Sequence, residues 1–169
     1  MDHAADPGLL FDAFDRNAEV NAALLAALTD ADLQVPDGRG GWTVGKHLGH
    51  LAEFRSGWLS YIAPAHAEGI PSVIEGGETD FVLTVSTVAE LAEAFRAGDA
   101  AARAAVLESL DAGRSFERVY TSHPAAFLLH TVVHDAHHRG QVLASLRAAG
   151  RTQAWLDAVD DATWSVWRR

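Results

Sequence analysis

The chain has no cysteine among its 169 residues. That excludes disulfides, thiolate metal ligands and a cysteine nucleophile, and it leaves the redox compartment unmarked. Basic charge is scarce too. One lysine, Lys46, and twelve arginines stand against 23 acidic residues, for a formal net charge of −10. A nucleic-acid surface needs a basic stripe to replace condensed counterions, and Arg168 and Arg169 are too few to make one. Nucleic acid and anionic membrane are therefore poor partners. The opening "MDHAADPG" is acidic and lacks the apolar core of a secretory signal. No apolar run reads as a membrane span, since the longest candidate is interrupted by Pro124 and by histidines. These absences lead to the expectation of a soluble, cytoplasmic protein.

What is present is ordinary for a globular chain: 49% hydrophobic and 21% charged residues. The length suits a single domain, residues 1–169, with a core that needs no staples. Period-two alternation is rare and helical periodicity dominates. Leu10, Phe14, Val20, Leu24, Leu25 and Leu28 give a first helix from about Pro7 to Leu28 its apolar face. "TDADLQVPDGRGG" breaks the chain. A second helix follows from the cap residue Thr43 to about Ala63, where Pro64 stops it. The long Gly- and Pro-rich connection "AHAEGIPSVIEGGETD" leads to a third helix. Thr87 and Glu90 open that helix at capping-box spacing, and it ends near Gly113. "GRSFERVYTS" is expected to hold a short extended segment. Pro124 and Gly150 bracket a fourth helix, and "QAWLDAVDDATWSVW" forms a shorter fifth. The expected fold is all-α: a four-helix bundle with long crossover connections and a short extra C-terminal helix.

The fourth helix carries "LLHTVVHDAHHRGQV", residues 128–142, with four histidines. At about 100° per residue, His130, His134, His137, His138 and Gln141 share one arc of roughly 100° with Phe127. Leu128, Leu129, Val132, Val133, Val142 and Leu143 fill most of the remainder, so the helix reads as buried nearly all round. His134 and His138 stand one turn apart, as do His130 and His134, so either pair could grip one cation. Helix two supplies further ligands in "WTVGKHLGHLAEF", with His47 and His50 near Glu53, Phe54, Trp58 and Tyr61. Imidazoles without thiolates suit Zn, Ni or Fe. A buried hydrogen-bonded histidine network is the alternative. Gly140, mid-helix, suggests a close helix approach, and Arg139 lies off the histidine face as a candidate helix-to-helix ion pair.

At these residues the chain resembles the DinB/YfiT-like family of small helical bundles with a three-histidine metal site. "WTVGKHLGHLAEF" resembles its second-helix motif and "HDAHHRGQV" its fourth-helix motif His-x-x-His-His-Arg-Gly-Gln. The match implies that His50, His134 and His138 are the ligands. It leaves His47, His130 and His137 as supporting residues that orient ligands or hold water.

Three neutral histidines leave a position open on a divalent metal, which favours chemistry over a closed structural site. The resemblance implies a thiol S-transferase. In that reading a low-molecular-weight thiol such as bacillithiol, mycothiol or glutathione is held as thiolate and attacks a small-molecule electrophile. Glu53 is the candidate acid or base. A rival reading takes "HDAHH" as a zinc-hydrolase motif with Asp135 as general base. A third is a non-enzymatic metal-binding stress-response protein. Trp155, Trp164 and Trp167, at near-helical spacing, are expected to pack on the bundle; as interface anchors they would instead join a homodimer, as many relatives form.

Overall fold

A computed structural model describes residues 7–77 and 80–169. Helix α1 spans Pro7–Ala27, and a short 3₁₀ turn, Asp30–Gln34, follows it. Helix α2 spans Val44–Ile62 and opens on Thr43, whose hydroxyl accepts from the Lys46 N–H. The one-turn α3, Pro64–Ala67, begins at the proline that ends α2. Strands β1 (Ile74–Glu75) and β2 (Val82–Leu83) pair antiparallel, with Ile74 opposite Leu83. Helix α4, Val88–Asp111, starts on the capping box of Thr87 and Glu90. Helix α5 is Ala126–Ala148 and α6 is Gln153–Trp167.

Helices α1, α2, α4 and α5 form the bundle. Helix α2 packs between α4 and α5, and α1 packs on both of those from the other side. One apolar cluster joins Leu24, Leu48, Leu91 and Leu146; the other joins Phe14, Leu59, Val106 and Phe127. The order of these residues along each helix shows that α2 runs parallel to α4 and antiparallel to α1 and α5. A parallel pair needs a return over the full length of the bundle, which is the task of residues 63–87. Helix α6 lies on α1, where Arg16 donates to the Val166 carbonyl at 2.6 Å.

Between the two apolar clusters lies a polar layer built from all four bundle helices. Arg55 and Asp135 are fully buried and paired. Arg55 also reaches Asp99 on α4 through Nε at 2.9 Å. Asn17 and Asn21 of α1 donate to Asp135 Oδ2 at 2.6 and 2.7 Å. Arg139 Nη1 closes the layer on the Asn17 and Asn21 carbonyl oxygens at 2.7 and 2.6 Å. Gly98 makes room for it, since a Cβ there would stand 2.9 Å from Arg55 Cβ.

Four expectations change. Helix α5 is not buried all round: Leu129 is 51% and Val133 60% exposed. Gly140 meets nothing that a Cβ would touch, so no close approach explains it. Arg139 does bridge to another helix, but through asparagine amides rather than through an ion pair. Residues 113–122 form turns, bends and irregular chain, not an extended segment, and Tyr120 adopts φ 53°. The extended pair lies instead in the crossover. Trp155 packs against the core, whereas Trp164 and Trp167 are exposed. No described helix is long and apolar enough to cross a membrane.

Candidate metal centre

Antiparallel packing of α2 on α5 sets the register of the site. Arg55 meets Asp135 in the polar layer, His50 meets His134, and His47, nearer the start of α2, meets His138. The pairs His50 Nε2 with His134 Nε2 and His47 Nδ1 with His138 Nδ1 each stand 3.1 Å apart. One ligand nitrogen from each of His50, His134 and His138 lies within 4.8 Å of the others. The spacing of three and four along α5 is what puts His134 and His138 on the α2 side together.

Aromatic rings wall the triad. Phe54 stacks on His134 with centroids 4.0 Å apart, and Trp42 lies 5.1 Å from His50 and 6.1 Å from His138. Phe81, from the crossover, contacts Trp42 at 4.9 Å and His50 at 6.1 Å. This apolar shell pushes the histidines toward the neutral form. Burial, then the neighbouring His138 and His50, brings the His134 pKa down to about 3. Burial, then His50 and His47, brings His138 to about 4. His47 is lowered as well, chiefly by burial. Neutral imidazole is the form that binds a metal.

The triad suits a divalent cation on the chemistry of its donors. His134 Nδ1 is buried and has no hydrogen-bond partner. The Nε2 atoms of His134 and His50 face each other at 3.1 Å, so neutral donors converge on one point. Three imidazoles without thiolate fit Zn, Ni or Fe.

The remaining expected residues separate clearly. His47 is buried against His138. His130 is exposed and faces Tyr120, whose hydroxyl stands 2.8 Å from its Nδ1. His137 is exposed, with its ring 5.1 Å from His138. Glu53 lines a cleft beside His50 and His134, but its carboxylate accepts from Ser56 Oγ at 2.8 Å and from Ser72 and Val73 of the crossover. It ties that connection to α2.

Asp135 points away from the histidines into the polar layer, and both its oxygens accept from Arg55, at 2.7 and 2.5 Å. Burial opposes its charge, but Arg55 and the two asparagines hold its pKa below the usual carboxylate range. A group so buried and so saturated cannot take a proton from a water at the triad. The hydrolase reading loses its base.

Sequence reasoning missed Phe81, Asp37 and Arg39. Phe81 had no signal beyond its apolar character in a long loop. Asp37 and Arg39 sit in "PDGRGG", which reads as a turn; Gly38 and Gly40 there take φ 77° and 81°.

The DinB family model matches residues 1–169, the whole chain. Neither the search of curated proteins nor that of solved structures finds a match.

Proposed function

The chain belongs to the DinB family, a metal-binding helical family, and on that premise we propose that it is a metal-dependent thiol S-transferase. His50, His134 and His138 would hold the ion, and the observation that carries this reading is their convergence inside an aromatic shell, where burial lowers the pKa of His134 and His138. A divalent cation there would acidify a thiol at its open position, so that the thiolate is available near neutral pH. The chain's own residues contribute placement and dryness. His47 orients His138 through the Nδ1 contact, and Phe54, Trp42 and Phe81 keep bulk water from the imidazoles. The reaction would join the thiol sulfur to the carbon of a small-molecule electrophile. Glu53, anchored to the crossover, shapes the cleft rather than moving the proton.

The exposed Leu129, Val133, Trp164 and Trp167 support pairing of two copies as a homodimer. The activity is tested by incubating zinc-loaded protein with glutathione and a chromogenic aryl halide. Thioether should form faster than without protein, and His50→Ala should return the rate to background. No acceleration with any of glutathione, bacillithiol or mycothiol would contradict the reading.

A further inference from the structure

Two clefts border the histidine triad, and they share no lining residue. The first, of about 660 Å³, is lined by Asp37, Arg39, Trp42, His47, His138 and Gln141 among others. The second, of about 480 Å³, is lined by His50, Glu53, Phe54, Trp58, Tyr61 and His134 among others. The triad is thus divided: His138 belongs to one wall, His50 and His134 to the other. Both volumes lie in the range of small-molecule sites.

The walls differ in chemistry. The first carries a guanidinium, Arg39, on a loop whose base is pinned by the Pro36–Thr43 bridge. Asp37 Oδ1 organises that loop by accepting from the Arg39 and Gly41 N–H groups at 2.8 and 2.9 Å. Gln141, one turn along α5 from His138, also lines the cleft and pairs with the His138 ring. The cleft therefore offers the Arg39 guanidinium for a carboxylate and the Asp37 carboxylate for an N–H, on the same wall as His138. A cysteinyl thiol carries these two groups around its sulfur.

The second cleft presents no cationic side chain among the residues that line it. Phe54 and Trp58 meet edge to face at 6.1 Å, and Tyr61 extends the aromatic wall. Its one carboxylate, Glu53, has no cation beside it among the lining residues, whereas Asp37 in the first cleft stands close to Arg39. Such a surface fits an apolar, planar group.

We infer that the two reactants reach the triad by separate clefts: a cysteinyl thiol past Arg39 and Asp37, and an apolar electrophile past Phe54 and Trp58. The inference rests on the S-transferase reading. In the step, the S–C bond forms as the bond from carbon to its leaving group breaks. The leaving group takes that electron pair, and the thiol proton goes to solvent. Separate entrances allow both reactants to be bound at once, in either order.

Calorimetry on zinc-loaded protein tests this, with glutathione as the thiol and 1-naphthol as an unreactive aromatic probe, after zinc content has been measured. Each probe should bind with the other present at saturation. Arg39→Ala should weaken glutathione about tenfold or more, the worth of a hydrogen bond to a charged group, and leave 1-naphthol unchanged. Trp58→Ala, or the exposed-site variant Tyr61→Ala, should do the reverse. Competition between the probes, failure of either to bind, or one variant weakening both would overturn the inference. A wild-type protein that takes up no zinc would instead remove the S-transferase reading beneath it.

Discussion

Arg55 Nη2 stands 2.5 Å from Asp135 Oδ2, both side chains fully buried, and Asp135 is the residue next to His134. The pair ties α5 to α2 beside the histidine contacts. Removing one partner of a buried ion pair strands the other, at a cost of roughly 3–5 kcal/mol. Asp135→Asn should therefore lower the urea midpoint of unfolding sharply. A variant of wild-type stability that had lost only a catalytic function would contradict this account and return Asp135 to the role of base.

His47 touches His138 through Nδ1. Loss of such an orienting partner costs about 10–100-fold in metal affinity. His47→Ala should weaken zinc binding by that order, measured by chelator competition, while still filling at excess metal. Unchanged affinity would make His47 a packing residue.

Acidification should destabilise the metal-free protein well above the carboxylate range. His134 and His138 titrate near 3 and 4 in the folded state against 6.5 for the free side chain. Below about 6.5 the unfolded chain thus binds protons that the folded chain refuses, so stability is full above that pH and falls as the pH drops toward 4. Thermal midpoints between pH 8 and 5 would show it, and His134→Ala should flatten the slope. A flat wild-type profile would mean the rings are hydrated and ordinary.

Gly140 lies inside α5 with open space where a Cβ would go. Gly140→Ala should stabilise the fold by roughly 0.5–1 kcal/mol through helix propensity and unfolded-state entropy. Destabilisation would restore the close approach that the sequence suggests.

The sequence exposes the helix ends because caps are local: Thr43, Thr87 and the prolines act within one turn. It exposes His134 and His138 as a pair for the same reason. It does not expose the Arg55–Asp135 layer, whose partners lie 80 residues apart and which no periodicity links. The wheel also misplaces His130 and His137. An arc gives direction about the axis, but burial depends on how far each neighbour covers a turn: Phe54 and Trp58 of α2 border His130 without burying it, and His137 lies exposed. Apolar Leu129 and Val133 mislead in the opposite sense, because apolar residues are not always covered.

The most direct measurement is the metal content of purified, untagged protein by mass spectrometry, alongside single alanine variants of His50, His134, His138 and His130. About one divalent ion per chain is expected, lost in the first three variants and kept in His130→Ala, whose ring faces Tyr120 instead. No metal after reconstitution with zinc, nickel or ferrous iron would contradict it, as would an ion that stays bound when the triad is broken.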